Sequence, residues 1–383
     1  MIKDRNQPIQ ILHVVGGMNR GGVETWLMHV LRHMDSSLFH HDFLVHTNQR
    51  CQYDEEIEGL GSRILRCSFP HQPQIYYRKF KDILQNQGPY DIVHSHVHFY
   101  SGFTLFIAKQ SNIQGRISHS HNDTRLLQSR ASFFRRIYLM LMKRLINKCA
   151  THGLACSQSA ATALFGPHWS EDKRWRLLYY GIDLTPFEIP IDKHELRKEL
   201  NIPAEVFVIG HVGRFVEQKN HSYLLDICHE FCKRQPNCYI LLIGDGPLRS
   251  AIENKARDLG MGKKIIFAGV RDDIPSLMRV AMDIFLFPSL FEGLGLVLIE
   301  AQAAGLPCII SDLIPSEVDL VKPLIHRLSL NDPPSMWAET ILSIKNHEKI
   351  FGKNLGYKII YDSQFNINNS INHLEKIYLS CMI

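Results

Sequence analysis

The residues best able to do chemistry in this chain fall into two groups, one in each half. In the second half Glu292 and Glu300 have seven residues between them, and Arg214 precedes Lys219 by five positions. Glu300 is the only charge among Leu296, Val297, Leu298, Ile299, Ala301, Ala303 and Ala304. An unpaired carboxylate buried in such company costs several kcal/mol or takes up a proton, so it must face a partner, a ligand or water. Two cations in one loop ahead of a helix suit a diphosphate, Arg as a forked donor and Lys as a mobile point charge. In the first half, Gly16-Gly17-Met18-Asn19-Arg20-Gly21-Gly22 separates a strand pattern from a helix pattern, a place where backbone N–H groups can approach an anion. The loop has neither the Gly-Lys-Ser/Thr of a P-loop nor the spacing of a dinucleotide fingerprint. His94, His96 and His98 would share one face of a strand, and an H-x-H pair can ligate zinc, but neither H-E-x-x-H nor H-x-x-E-H accompanies them. His119 and His121, also spaced by two, close another strand as proton handlers, oriented donors or surface groups.

These residues need a scaffold, and the hydrophobic pattern supplies one. Residues 284–287 form a short apolar run ended by Pro288 and Ser289, 296–304 read as a buried helix stopped by Gly305, and 308–311 as a further strand. That is a strand–loop–helix–strand unit of a parallel sheet, with Glu292 in the loop at a strand's carboxyl end, where such sheets bind ligands. Strands at 206–212, 239–243 and 265–268 lead into Gly213-Arg214, Gly244-Asp245-Gly246 and Gly269-Val270-Arg271. The first half repeats the alternation, with strands at 10–15, 43–46, 63–66 and 116–119 and a helix at 23–34. The pattern predicts two α/β domains, each a doubly wound parallel sheet.

The E-x7-E pair and its setting, PSLFEGLGLVLIEAQAAGLPCIISD, resemble the motif of retaining, nucleotide-sugar-dependent glycosyltransferases of family 4, which have the GT-B fold, and among them the EpsF-like exopolysaccharide-synthesis enzymes. The G-R-x4-K pattern of Arg214 and Lys219 is similar to that family's diphosphate-binding pair. The resemblance implies two Rossmann-like domains facing a cleft: 1–182 for the acceptor, 183–362 for the donor, and a terminal helix in 363–383 crossing back. It implies catalytic roles for Glu292, His121, Arg214 and Lys219, with His119 the rival for the cleft histidine because HSHN resembles the family's T-x-H-D turn. It implies donor contacts at Gly21, Gly22, Gly244, Val270, Arg271, Gly293, Leu294, Gly295, Leu296, Val297 and Glu300. At Leu177–Asp183 the segment LLYYGID has Tyr180 where the family usually has Asn. The implied reaction moves a sugar, with retention, from a nucleotide diphosphate sugar (UDP ahead of GDP) to a glycan or polyprenyl-diphosphate-linked acceptor. Without an Asp-x-Asp motif, no metal or other cofactor is expected. The competing classes are a nucleotide-sugar epimerase or phosphorylase on the same fold and a non-catalytic sugar-binding module.

Composition agrees with an ordinary globular protein of two domains: 383 residues, 45% hydrophobic and 21% charged. Nine scattered cysteines without a CxxC pair read as reduced thiols. No apolar run approaches the ~18 residues of a membrane span, and the expected location is the cytoplasm. The net charge of +5 is uneven, with 22 Lys and Arg against 15 Asp and Glu through Pro190, so the first half favours an anionic partner. Nucleic acid is not the expected one. In 130–148 an apolar stripe of Phe134, Ile137, Tyr138, Leu141, Met142 and Leu145 is expected to pack on the sheet. Arg135, Arg136 and Lys143 beside it are the candidates for peripheral docking on the anionic inner face of the cell membrane.

Overall fold

The computed structural model describes residues 7–68, 70–346 and 353–382. The chain divides into two compact units: one runs to Gly181 and takes in the helix Ile367–Ser380, and the other comprises Ile182–Asn366.

The first unit is built on seven parallel strands, β1 (Ile9–Val15), β2 (Phe39–Val45), β3 (Ile64–Arg66), β4 (Ile92–Ser95), β5 (Gly115–Ser120), β6 (His152–Ala155) and β7 (Trp175–Leu177), in the order β3-β2-β1-β4-β5-β6-β7. The second has six, β8 (Phe207–Val212), β9 (Cys238–Ile243), β10 (Ile265–Gly269), β11 (Ile284–Phe287), β12 (Cys308–Ser311) and β13 (Ile325–Leu328), in the order β10-β9-β8-β11-β12-β13, again all parallel. Parallel strands are covered on both faces, which is why ILLI in β9 and IFLF in β11 read as continuous apolar runs rather than alternating ones. In each sheet the winding direction reverses beside the first strand, between β1 and β4 and between β8 and β11. Such reversals open the crevice in which doubly wound sheets hold ligands.

Each unit has its own core. Leu12, Leu44, Phe80, Val93 and Leu105 belong to the first, Ile209, Leu224, Phe231, Leu286 and Trp337 to the second. Three strands escape the sequence pattern. The edge strand β7 is three residues with Arg176 at its centre, β6 is His-Gly-Leu-Ala, and β13 carries His326 and Arg327. Cys232 and Cys238 are joined as a disulfide, contrary to the reading of all nine as thiols, while the seven others are buried thiols.

Candidate active site

In the second unit the loops leaving β8 and β11 are latched together by Gln218. Its carbonyl accepts from the Leu290 N–H at 2.9 Å, and its Nε2 donates to the Phe291 carbonyl at 2.9 Å and to Glu292 Oε2 at 3.2 Å. The next residue, Lys219, places Nζ 2.7 Å from Glu292 Oε1 and 4.6 Å from the centre of the Phe287 ring. Glu292 is buried and Lys219 half-buried, so the pair is held away from bulk water, where charge interactions are strong but desolvation offsets much of the gain. Arg214 in the same loop is exposed, and among the described residues it has no carboxylate or other hydrogen-bonding partner for its side chain.

The surrounding backbone is pressed close to this loop. Gly244 has φ +128°, and a Cβ there would fall 2.2 Å from the Gly213 carbonyl oxygen, a position only glycine fills. Gly295, at φ +94°, caps the helix Leu296–Ala303 in the left-handed region. Gly293 and Leu294 are buried, Leu296 and Val297 half-buried in the helix's first turn. One turn further, Glu300 is partly buried with no side-chain partner among the described residues, and burial pushes its carboxyl up to about 7. Val270 is exposed, whereas the Arg271 guanidinium is tied to Asp273 at 2.7 Å and Glu199 at 2.9 Å. Among the described residues, the loops and the helix that follows thus supply one unpaired guanidinium, one ammonium shared with a carboxylate, and a second carboxylate without a side-chain partner. Such a set can neutralise a diphosphate and accept hydrogen bonds from hydroxyls.

The crevice end of the first sheet is built differently. His13, His41, His94, His96, His119 and His121 are all buried, and burial holds every one of their imidazoles below the usual range, His41 and His121 at about 3. His121 uses both ring nitrogens within the unit, Nδ1 with the Tyr180 hydroxyl and Nε2 with His96 Nδ1 at 2.9 Å. His119 bonds His94 through Nδ1 at 3.1 Å and leaves Nε2 buried without a partner among the described residues. His98 departs from the face it was expected to share: the chain turns at φ +50°, and its Nε2 meets Thr124 Oγ1 at 3.1 Å. Two trios, His13–His94–His96 and His96–His119–His121, bring one ligand atom each within 4.8 Å of one another, although most of these nitrogens already serve each other as hydrogen-bond partners. Gly21 precedes the helix Gly22–His33. A Cβ on it would fall 2.4 Å from Glu24 Oε2, so a carboxylate of the first turn stands beside the expected phosphate position.

Known proteins match both halves of the chain. Residues 20–185 match the profile of Glycosyltransferase Family 4 and residues 192–358 that of Glycosyl transferases group 1. A Bacillus subtilis (strain 168) protein carrying the name glycosyltransferase EpsF is 39% identical over 369 residues, 95% of each chain. The chain belongs to the family 4 glycosyltransferases. An Escherichia coli UDP-Gal:alpha-D-GlcNAc-diphosphoundecaprenol alpha-1,3-galactosyltransferase is 25% identical over 78% of each chain. In fold, this glycosyltransferase is similar to Anabaena Alr3699/HepE, a structure in complex with UDP and glucose, at a TM-score of 0.80, 19% identity, and coverage of 97% of this chain and 100% of that one. The GT-B fold expected from the sequence is the one observed, with two Rossmann-like sheets.

Two further features of the glycosyltransferase differ from the sequence reading. Gln218 was not singled out, though it sits inside G-R-x4-K one residue before Lys219 and is what ties that loop to Glu292. The helix Phe133–Cys149 does not pack its whole stripe. Leu139, Ile146 and Cys149 are buried, whereas Phe133 is 72% and Phe134 82% exposed, with Ile137, Met140 and Leu141 also exposed. Its basic residues are partly engaged: Arg136 donates to the Ser129 and Ala131 carbonyls, Lys143 to Gln128 Oε1, and Arg135 lies over the Tyr138 ring. No helix of the described residues is long and apolar enough to cross a membrane.

Proposed function

We propose that this glycosyltransferase is a retaining enzyme that transfers a sugar from a UDP-sugar to a polyprenyl-diphosphate-linked glycan in exopolysaccharide or capsule synthesis, without a metal ion. The observation that carries the reading is the loop pair at the second sheet's reversal: Lys219 on Glu292, with Arg214 of the same loop exposed and unpaired among the described residues. Charge grows on the diphosphate as its bond to the sugar breaks, and two cations placed there act most strongly in the transition state. Glu292 accepts hydroxyls of the transferred sugar, Glu300 those of the ribose, and the turn at Val270 and Arg271 meets the base. His121 acts on the sugar as positive charge develops at its anomeric carbon. The leaving phosphate takes the acceptor's proton on the face it vacates, so no protein nucleophile is required. The UDP-Gal and diphosphoundecaprenol in the name of the E. coli relative support UDP and a diphospholipid acceptor, and the UDP and glucose bound by the Anabaena protein support the nucleotide.

The exposed Phe133, Phe134 and Ile137, together with Arg135, dock the first unit on an anionic bilayer at the cytoplasmic face, where such an acceptor is held. The test is a screen of UDP- and GDP-sugars against a lipid-diphosphate sugar, with and without EDTA, followed by NMR of the new linkage. An α-linked product from an α-linked UDP donor, formed equally in EDTA, is expected. A β product or loss of activity in chelator overturns the corresponding part.

A further inference from the structure

The buried imidazoles of the first sheet are joined in a fixed sense. His121 Nε2 meets His96 Nδ1 at 2.9 Å, His96 Nε2 meets His13 Nδ1 at 3.0 Å, and His13 Nε2 meets His41 Nδ1 at 2.9 Å. Every link runs from Nε2 of one ring to Nδ1 of the next. The chain begins at the Tyr180 hydroxyl on His121 Nδ1 and ends at His41 Nε2, which is buried without a partner among the described residues. A neutral imidazole has one N–H and one lone pair, so a head-to-tail chain keeps all its links only when every ring holds the same tautomer. A single inverted ring sets two N–H groups against each other on one side and two lone pairs on the other. Buried groups do not exchange such losses for water.

Two directions satisfy the links; the His41 end favours the one with Nδ1–H rings, since an orphan N–H costs more there than an orphan lone pair, and the Tyr180 end outweighs it. If Tyr180 donates to His121 Nδ1, all four rings are Nε2–H. If His121 donates to Tyr180, all four are Nδ1–H, and the phenol's own proton must go elsewhere, the nearby group being the Cys156 thiol. A thiol sulfur is a weak acceptor and an imidazole nitrogen a strong one, and Cys156 already gives its own proton to the His121 carbonyl at 3.4 Å. The Tyr180 ring is stacked on Trp26 with centres 4.5 Å apart, which holds the hydroxyl in place. We propose that His96, His13 and His41 are positioning residues that, with Tyr180 setting the direction, fix His121 in its Nε2–H tautomer and keep Nδ1 as its acceptor atom. Both nitrogens of His121 are engaged, so a sugar hydroxyl reaches Nδ1 only by replacing the Tyr180 hydroxyl, and there it meets a hydrogen-bond acceptor, not a donor. Only this last consequence rests on the role given to His121 above. The Tyr378–His94–His119 set has the same sense, through 2.9 and 3.1 Å links, but contains none of these rings and serves as an internal control.

The test is long-range 1H–15N correlation on the ligand-free, full-length protein with 15N-labelled histidine. Native protein is expected to show protonated Nε2 and bare Nδ1 at His13, His41, His96 and His121. In Tyr180→Phe the four signatures should shift together, His41 included although it lies three rings away, while His94 and His119 keep theirs as evidence of an intact fold. In His41→Phe, which removes only the far end, His121 should stay Nε2–H. A shift confined to His121 in the first variant, or a switch of His121 to Nδ1–H in the second, overturns the proposal. Turnover of Tyr180→Phe should fall on the order of tenfold with donor KM little changed. Normal turnover with the four shifts moved as expected would leave the chain standing and remove the catalytic use of His121.

Discussion

The two sheets have the same topology at their crevices and solve the same problem in opposite ways. At the β8/β11 reversal the polar groups are ions: Lys219 on Glu292, an exposed Arg214, and a carboxyl at Glu300 held half-ionised near neutrality. At the β1/β4 reversal they are neutral, six imidazoles and two phenols bonded to one another. Fixed charge suits a loop that must meet an anion and let it go. A neutral hydrogen-bonded array suits a buried sheet face that must stay rigid without adding a second field. The difference makes the two units respond unequally to acid and to charge substitution.

The largest expected effect is on acid stability. The six buried histidines of the first unit have folded pKa values depressed below the ordinary 6.5, so the unfolded chain binds protons first as pH falls. Stability is therefore fully present above about 6.5 and lost below it, continuing down to about 3 for His41 and His121. Each ring contributes up to ~1.4 kcal/mol of loss per pH unit in that window, several kcal/mol together by about pH 5.5. Among the described residues of the second unit, only His211 and His221 are comparably buried and depressed. Hydrogen exchange at pH 7.5 and 5.5 should show the β1–β5 amides losing protection well before those of β8–β12. Equal loss in both sheets would break the comparison.

Next in size is the charge at the second reversal. Arg214→Ala and Lys219→Ala should each lower turnover by roughly 10²- to 10³-fold with a smaller change in donor binding, since their work is done on the departing diphosphate. Glu292→Gln should cripple turnover comparably without trapping a sugar–enzyme adduct. Near-normal turnover in both cation variants would remove the assignment.

Glu300 gives a smaller effect with a sign of its own. Its folded pKa is raised from 4.5 to about 7, so the native state binds the extra proton and stability falls as pH rises through that window. Glu300→Gln removes the penalty and should be more stable than the native protein at pH 8, by on the order of 1–3 kcal/mol, with the gap closing by pH 5. The same variant should bind donor more weakly. Urea unfolding at the two pH values checks the first, calorimetric titration with UDP the second. A stability difference independent of pH would show that the carboxyl is not held protonated by its surroundings.

What was legible in the sequence follows the same division. Glu292, Glu300, Arg214 and Lys219 stood out because charge is conspicuous in an apolar run, and strands such as ILLI and IFLF announced a sheet covered on both faces. The period-two spacing of His94/His96 and His119/His121 placed each pair on one face. The chain through His13 and His41 was not legible, because its links join positions 25 to 83 residues apart and exist only once β1, β2, β4 and β5 are in register. Gln218 was hidden for a different reason: an amide between two charges in sequence carries no pattern, and its role is a bond across 73 and 74 positions.

The smallest expected effect lies at the surface of the first unit, where the helix Phe133–Cys149 was expected to bury its stripe and offer only its basic flank. The stripe's first turns instead stand in solvent, while Arg136 and Lys143 are bonded to Ser129, Ala131 and Gln128. Apolar insertion and charge attraction are thereby separable. Each basic residue near an anionic leaflet is worth about 1 kcal/mol when free to approach it, and less when its donors are already engaged. Phe133→Ser/Phe134→Ser should weaken binding to phosphatidylglycerol vesicles at every salt concentration. Arg135→Glu, Arg136→Glu and Lys143→Glu combined should weaken it chiefly at low salt, by less than three free charges would, because the Debye length shortens from about 30 to 10 Å between 0.01 and 0.1 M. Vesicle flotation of both variants across that range separates the two contributions. Unchanged binding by the Phe133→Ser/Phe134→Ser variant would mean that the exposed aromatic end of this helix meets no bilayer.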